Sequence, residues 1–226
     1  MASYTPRVRK LYTLIFPLGD GRVLLGYKKR GFGRGKYNGF GGKVEPGETI
    51  AEGAIRELEE EAGIKAKDLP YHGILFLEAT ADPASPILEI HVFTSTSWTG
   101  EPMETEEMCP EWFSVPSNSA DTSHPPIPFQ TMWEETVEWL PILLGFYFPV
   151  SKGAEKIQMV HHASFKKGLN PQTGLQDIWH GMDENFIQWL GSDEADENGY
   201  PGRLENWTEE VKDRWIEERK KASFDA

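Results

Sequence analysis

The amino-acid sequence predicts an α/β fold, in which a sandwich-like domain of mixed strands and helices is followed by an acidic C-terminal extension with one helix. Three observations support this class. Apolar segments of strand length, separated by turn residues, run through the first half of the chain. Two segments with helical periodicity interrupt them, and strands mixed with helices favour helices packed on a sheet. From residue 183 the composition becomes strongly acidic before one more helical pattern.

The predicted strands begin with a β-hairpin. Its two apolar segments, 10–18 and 22–30, flank a Gly-Asp-Gly turn of the kind that joins antiparallel strands. Further strands are predicted at 72–80, 87–98 and 111–115, and a late hairpin is predicted between 155–165 and 174–180. His161 and His162, in the late hairpin, lack the spacing of metal ligands, and a surface position is expected for both.

The first predicted helix has sequence signals at both ends. Thr49 is the predicted N-cap, and Glu52, three residues later, completes a capping box. Gly63 follows the helical pattern as a natural C-terminal stop. A second helix is predicted at 132–144, after a loop rich in proline and serine.

The C-terminal part of the chain is predicted to be a separate extension. The sequence places one domain at 1–182 and the extension at 183–226, with a solvated acidic linker at 193–203. A helix predicted at 206–221 carries an apolar stripe that can dock on its own domain or bind a partner, and docking in cis is the favoured interpretation. The stripe consists of Trp207, Val211 and Trp215.

Composition and charge restrict the classes of function. The chain has 226 residues, 38% of them hydrophobic, and a formal net charge of −13. This charge argues against a general nucleic-acid binder, because phosphate backbones require a basic surface. The opening residues contain no apolar signal segment, and the most apolar run, 139–150, is too short and proline-interrupted to span a bilayer.

Cys109 is the only cysteine. A monomeric cytoplasmic protein is expected, with the nucleus or mitochondria as alternative locations.

A run of glutamates in the first helix is the strongest candidate for a metal site. Glu57, Glu60 and Glu61 fall within an arc of roughly 100° on the helix, whereas Glu59 points away from it. Carboxylates at i, i+3 and i+4 beside an apolar face suit Mg²⁺ or Mn²⁺. Taken alone, such a run is more often a solvated charged surface. The neighbouring apolar arc comprises Ala51, Ala54, Ile55, Leu58 and Ala62.

The residues around this run follow a longer pattern, G-x5-E-x7-R-E-U-x-E-E-x-G-U, where U is a bulky aliphatic residue. The constrained positions are Gly42, Glu48, Arg56, Glu57, Leu58, Glu60, Glu61, Gly63 and Ile64. The segment Gly42–Ile64 resembles the Nudix box, the signature of the Nudix hydrolases, without a mismatch. The resemblance implies a mixed-sheet α/β/α sandwich and metal-dependent hydrolysis of a nucleoside diphosphate linked to another group.

The resemblance also implies individual roles. The three glutamates of the arc would bind the metal, and one of them would help to deprotonate the attacking water; which one is left open. Glu107 and the carbonyl of Gly41 are further expected ligands, with Mg²⁺ the expected cofactor and Mn²⁺ the alternative. Arg56 is expected to pair with Glu48 and to hold the loop on the helix. Gly42 and Gly63 complete the structural part of the box.

Segments outside the box, between residues 10 and 144, resemble the Nudix branch that hydrolyses oxidised purine nucleoside triphosphates. This implies a small-molecule nucleotide substrate, such as 8-oxo-dGTP or 2-hydroxy-dATP, cleaved to the monophosphate and pyrophosphate. Lys28 is expected near the sugar or phosphates. Residues of the branch's purine pocket are matched by Thr13, Phe32, Asn38, Trp133 and Trp139, with the less certain neighbourhood of Leu77 and Leu88.

The sequence departs from this branch at the base-reading position. Where the branch has two adjacent aspartates, this chain has Glu135 and Thr136. Glu135 can replace one carboxyl group with a longer side chain, but Thr136 never carries the charge. Two alternatives therefore stay open: a Nudix enzyme for another nucleotide, such as a canonical or methylated purine triphosphate, an ADP-sugar or a dinucleoside polyphosphate, and a nucleotide-binding module without catalysis.

Overall fold

The computed structural model describes residues 8–115, 124–148, 157–171, 173–190 and 204–224. The chain forms two compact units. Unit A comprises residues 11–72 and 90–155, and unit B comprises residues 1–10, 73–89 and 156–226. The strands are β1 Arg9–Gly19, β2 Arg22–Lys28, β3 Tyr37–Asn38, β4 Lys65–Ala66, β5 Tyr71–Ala79, β6 Ile87–Ser95, β7 Trp98–Thr99, β8 Met108–Ser114, β9 Gln158–Phe165, β10 Gly168–Leu169, β11 Gln176–Asp177 and β12 Met182–Leu190. The helices are α1 Ile50–Ala62, α2 Thr136–Tyr147 and α3 Glu209–Phe224.

The predicted first hairpin is confirmed in unit A. β1 and β2 are antiparallel, with Leu18 opposite Val23. The two-residue turn between them has positive φ at both positions, 51° at Asp20 and 74° at Gly21, which is the backbone that a tight hairpin of this twist requires. β2 also pairs with β3 and with β8, both antiparallel. The hairpin thereby brings the glycine-rich segment and the segment around Glu107 to the same strand.

Helix α1 has the ends that the sequence predicts. The Thr49 hydroxyl accepts from the Glu52 backbone N–H at 3.2 Å, and the Glu52 carboxylate accepts from the Thr49 N–H at 2.8 Å. Gly63 ends the helix in the left-handed conformation, with φ of 72°. Leu58 and Ala54 are buried in the core of unit A, together with other apolar residues. The buried part of this core is Ile15, Leu24, Phe40, Ala54, Leu58, Ala62, Ile64, Ala66, Phe93 and Met108. Ala51, expected in the apolar arc, is exposed.

Unit B contains a mixed sheet with a different pairing from the predicted late hairpin. β9 is parallel to β5 and antiparallel to β12, with Phe186 opposite His162. The predicted partner segment, 174–180, contributes only β11, which pairs with β10. That hairpin prediction is therefore wrong, and the acidic start of β12 concealed the strand that replaces it. The predicted surface position of His161 and His162 is also wrong, because both side chains are buried in β9.

Helix α3 confirms the third predicted helix and packs within unit B. Trp215 is fully buried and contacts the rings of Phe76, Phe186 and Trp207. The predicted domain boundary at residue 182 falls at the start of β12, so the strand after the boundary is paired with β9. The extension thus docks in cis, although its division from a domain at 1–182 stays a prediction. The predicted acidic linker, 193–203, lies outside the described residues.

Buried ion pairs reinforce this packing. Arg9, at the start of β1, forms ion pairs with Glu89, Glu209 and Asp213. Lys212 of α3 pairs with the same Glu89, whose side chain is buried. A buried carboxylate is stable only with such compensation. Within the described part of the chain, no helix is both long and apolar enough to cross a membrane.

We expect Thr49→Ala to reduce the free energy of unfolding by about 1 kcal/mol, because the substitution removes the side-chain cap of α1. Urea denaturation followed by circular dichroism measures the change. Thr49→Ser, which keeps the hydroxyl group, is the matched control and should stay near wild type. Equal stability of the two variants would contradict the capping role.

Candidate active site

Glu61 occupies the most buried of the predicted metal positions. Its side chain is 1% exposed, because α1 turns this face toward β2 and the glycine-rich loop. One carboxylate oxygen accepts from the Lys28 ammonium at 2.5 Å, and the other accepts from the Gly41 backbone N–H at 2.8 Å. Burial raises the pKa of Glu61, against the opposing influence of Lys28. The site therefore holds a carboxylate that needs nearby positive charge.

Arg56 joins the other two glutamates of the arc to the loop before the helix. Its guanidinium donates to Glu57 at 2.9 Å and to Glu60 at 3.1 Å. It also donates to both carboxylate oxygens of Glu48, at 2.8 and 3.1 Å. This hydrogen bonding lowers the pKa of Glu48 to about 2, whereas burial raises the pKa of Glu57. The structure places Arg56 against all three carboxylates rather than against Glu48 alone.

Glu107 approaches this cluster from the segment that leads into β8. It accepts from Lys28 at 3.2 Å and from Arg30 at 2.5 Å. Burial opposes the ionisation of Glu107, but the hydrogen bonds and charges of the two cations outweigh it and lower the pKa. Lys28 thus connects Glu107 to Glu61, and the structure brings together carboxylates that are 46 positions apart (61 and 107) in the sequence.

Two glycines allow the loop to approach α1 closely. A Cβ atom at Gly42 would lie 2.5 Å from a carboxylate oxygen of Glu57. A Cβ atom at Gly41 would overlap the Thr13 carbonyl oxygen, and the φ of Gly41 is 151°. No other residue fits either position without displacing a carboxylate or a strand.

The donor set of this cluster fits a hard divalent cation. Within the residues for which positions are described, no group of three acidic, histidine or cysteine side chains is arranged to hold a metal ion directly. The carboxylates are neutralised by Lys28 and Arg56 instead. Nevertheless, the pKa of both Glu57 and Glu61 is raised by burial, and a cation beside them would reverse this effect. Oxygen donors of this kind suit Mg²⁺ or Mn²⁺.

A second cluster in unit A contains buried polar atoms that lack partners. Thr13 Oγ1, Glu135 Oε2 and Trp139 Nε1 each have no hydrogen-bond partner among the residues that the structure describes. Burial raises the pKa of Glu135 to about 7. Buried polar groups are almost always satisfied in native proteins, so these three atoms are open to hydrogen bonds from a bound ligand.

Contacts through the chain link these three residues. Glu135 and Trp139 are four residues apart on one side of α2. The Trp139 ring contacts that of Phe16 edge to face at 5.6 Å. Thr13 precedes Phe16 on β1 and lies against the backbone of Gly41. All three residues belong to unit A, and the Gly41 backbone that Thr13 borders donates to Glu61 of the glutamate cluster.

Aromatic rings form the outer part of this region. Phe32 and Trp133 stack with their ring centroids 5.0 Å apart and their planes at 25°. Phe32 is 58% exposed, which leaves an accessible aromatic surface.

The Asn38 side-chain oxygen accepts from the Gly39 N–H at 2.9 Å. The Thr136 hydroxyl lies 3.4 Å from Glu135 Oε1.

One residue of this region escaped the sequence analysis. The Lys36 ammonium lies 4.8 Å from the centroid of the Trp133 ring, and its charge acts on Glu135. Lys36 follows a glycine-rich segment and precedes a strand, a position that is typical of a solvated loop residue. The neighbouring aromatic Tyr37 was the one sequence feature that favoured burial of Lys36. Leu77 and Leu88, expected near the pocket, are buried residues of unit B, and their role at the pocket stays a prediction.

The fold and the site define an α/β protein with an acidic helix and a stacked aromatic pair, and the NUDIX domain family matches residues 9–134. The chain belongs to this family. It is 43% identical over 135 residues to the oxidized purine nucleoside triphosphate hydrolase of Danio rerio, an alignment that covers 60% of this chain and 80% of the relative. The Mus musculus protein of the same name is 44% identical over the same shares.

More distant proteins share the family or its fold. The 8-oxo-dGTP diphosphatase of Escherichia coli K12 is 34% identical over 85 residues, which are 38% of this chain and 63% of that protein. The crystal structure of a MutT protein from Bacillus halodurans has a TM-score of 0.52 at 20% identity and covers 79% of this chain and 97% of that one. The latter shows the fold alone.

We expect Arg56→Met to lower the melting temperature by several degrees at pH 7, because three carboxylates lose their shared cation. The pKa of Glu48 is depressed from 4.5 to about 2 in the folded protein, so its pairing contributes stability above pH 4.5 that is lost as the pH falls through about 2. The difference from wild type should therefore narrow as the pH falls through this range. Arg34→Met, at an exposed arginine of the same unit, is the control. A pH-independent difference would exclude the carboxylates as its cause.

Proposed function

We propose that the protein hydrolyses oxidised purine nucleoside triphosphates, such as 8-oxo-dGTP, to the monophosphate and pyrophosphate, with Mg²⁺ or Mn²⁺ as cofactor. The observation that carries this proposal is the set of three unsatisfied polar atoms, on Thr13, Glu135 and Trp139, in the same unit as the glutamate cluster. The names of the vertebrate relatives, which share more than 40% of aligned residues with this chain, support the same substrate class.

The glutamate cluster supplies the hydrolytic chemistry in this proposal. A divalent ion held by Glu57, Glu60, Glu61, Glu107 and the Gly41 carbonyl would neutralise the phosphates and lower the pKa of a bound water. Lys28 adds a positive charge at the same place and orients Glu61. One of the three helix glutamates accepts the proton of the attacking water. The raised pKa of Glu57 and Glu61 makes each a stronger base than an ordinary glutamate.

The second cluster binds the base. Phe32 and Trp133 offer aromatic faces to a flat heterocycle, and Asn38 offers an amide to its edge. Glu135 is largely neutral below pH 7, and a neutral carboxyl group both donates and accepts hydrogen bonds. It can therefore pair with a purine edge that presents one donor and one acceptor.

Thr136 favours a second candidate function, the hydrolysis of a different nucleotide by the same machinery. Its hydroxyl is directed at Glu135 Oε1, so the pocket has one carboxyl group where a pair would read the oxidised base. A canonical or methylated purine triphosphate, an ADP-sugar or a dinucleoside polyphosphate would then be the substrate. We further propose a monomer that acts on the cytoplasmic nucleotide pool, with nuclear or mitochondrial pools as the alternative locations.

In the presence of Mg²⁺, we expect the protein to release pyrophosphate from 8-oxo-dGTP at a higher kcat/KM than from dGTP. A panel of both nucleotides, 2-hydroxy-dATP, N6-methyl-dATP, ADP-ribose and diadenosine tetraphosphate, with products separated by chromatography, measures the preference. Faster turnover of another panel member would transfer the assignment to the second candidate. Binding without turnover would indicate a non-catalytic module.

Glu60→Gln tests the metal mechanism, because it removes one charge from an exposed position of the arc and keeps the side-chain volume. We expect turnover to fall by at least about 100-fold. Glu59→Gln, on the other side of the same helix, should keep wild-type turnover. Equal activity of the Glu60→Gln variant and wild type would refute the assigned chemistry.

We expect the KM for 8-oxo-dGTP to rise above pH 7, by up to about tenfold per pH unit, as Glu135 loses the proton that it donates. The pKa of Glu135 is raised from 4.5 to about 7 in the folded protein. Its contribution to stability is thus complete below pH 4.5 and is lost as the pH rises through about 7. Glu135→Gln donates at every pH, and its KM should stay level between pH 6 and pH 9.

The matched control is Glu138→Gln, which replaces an exposed carboxylate on the same helix. It should retain the wild-type pH profile. Dividing the KM of wild type by that of Glu135→Gln at each pH cancels the titration of the nucleotide itself. A ratio that does not change with pH would rule out Glu135 as the proton donor to the base.

A further inference from the structure

Lys36 is a buried lysine in the proposed base-binding region, and the burial of its charged side chain needs an explanation. It is 4% exposed, and a buried ammonium group is costly unless it is compensated by hydrogen bonds or charge. The residue lies in the tight turn after β2, where its backbone N–H donates to the Gly33 carbonyl and its carbonyl accepts from the Lys28 N–H. The backbone therefore fixes where the side chain starts.

The Lys36 ammonium bridges two features of the pocket wall. It donates to the Met132 carbonyl at 3.2 Å, immediately before Trp133. It also lies over the Trp133 ring, at 4.8 Å from the centroid. A cation over an indole face attracts the ring, and the attraction is strongest away from water. On the opposite side of the turn, a Cβ at Gly33 would lie 3.2 Å from the same indole.

The same ammonium also influences the base-reading carboxyl group. Burial raises the pKa of Glu135, and the positive charge of Lys36 opposes this rise, whereas Glu134 reinforces it. Thr136 contributes a hydrogen bond to Glu135 that also favours the carboxylate. Lys36 is therefore one of several groups that act on Glu135, and its charge favours the ionised form.

We propose that Lys36 is a positioning residue for binding of the base, because its buried ammonium group donates to the Met132 carbonyl, lies over the Trp133 ring and so holds the indole in its stacked orientation. The proposal rests on the proposed function, since it assumes that Trp133 and Glu135 contact the base. It assigns no contact between Lys36 and the nucleotide. Its consequences therefore appear in binding of the base rather than in cleavage of the phosphate anhydride.

The test compares Lys36→Met, Lys36→Gln and Lys36→Arg with wild type. Removing the charge with Lys36→Met should raise the KM for 8-oxo-dGTP by about tenfold with little change in kcat, as expected when only binding is lost. The same variant should move the pH midpoint of the KM profile upward, because Glu135 loses a stabilising cation. Lys36→Arg keeps the charge and should restore both quantities toward wild type.

The design separates a loss of folding from a loss of positioning. Lys36→Gln keeps a donor for the Met132 carbonyl but removes the charge, so it is the variant of choice if Lys36→Met has a reduced melting temperature. A variant with intact melting temperature, wild-type KM and an unchanged pH midpoint would overturn the proposal. So would Lys36→Arg behaving like Lys36→Met.

Failure of the proposed function gives a different result. If wild type itself neither hydrolyses 8-oxo-dGTP nor binds 8-oxo-dGMP in a calorimetric titration, the substrate assignment fails before any variant is compared. If wild type does both and the charge of Lys36 has no effect, only the positioning role fails. A fall in kcat with unchanged KM would also contradict the proposal, because it would place Lys36 in the hydrolytic step.

Discussion

The glutamate cluster is organised by the cost of withdrawing carboxylates from water. Glu57 and Glu61 are partly or wholly buried on α1, and burial raises the pKa of both. Direct ion pairs with Lys28 and Arg56 offset part of this desolvation free energy, and the Gly41 N–H adds a hydrogen bond. The close approach of the loop to α1, the two glycines of this loop and the capped ends of α1 together bring these groups to the same place. A divalent ion would supply the remaining positive charge and would also hold the anionic phosphates of a substrate at this place.

The region around Glu135 reduces the same desolvation free energy in another way. Glu135 is buried as deeply as Glu61, and the charge of Lys36 and the Thr136 hydroxyl favour its ionised form without offsetting burial. Such a carboxyl group reduces the cost by holding a proton, which raises its pKa to about 7. Ion pairs with Lys28 and Arg56 thus favour the charged form of the glutamates on α1, whereas burial favours the neutral form of Glu135. This contrast supports the proposal that the first cluster acts on the phosphates and that Glu135 forms hydrogen bonds to the base.

Local signals explain which parts of the fold and site the sequence could predict. The hairpin turn at Asp20 and the capping box at Thr49 depend on residues within four positions of one another, and both are confirmed. The pairing of β9 with β12 depends on contacts across a loop and was missed because charged residues open β12. Lys36 was missed for the same reason, since its burial depends on Met132 and Trp133, which are almost a hundred positions away. The family pattern indicated the residues of the glutamate cluster, but the cations between them became visible only in the structure.

The two clusters lie on different elements, and this separation bears on how the chain can differ from its relatives. In the proposed function, the groups assigned to hydrolysis are on α1, β2 and the segment before β8, whereas those assigned to the base are on β1, β3, α2 and the turn that carries Lys36. An exchange of an aspartate for Thr136 would then change the hydrogen bonds offered to the base and leave the ion pairs of Glu61 and Arg56 in place. Because transition-state stabilisation at the phosphates is independent of this exchange, selectivity between purines can drift while the reaction is retained. The resemblance of the box consequently constrains the reaction more tightly than it constrains the base.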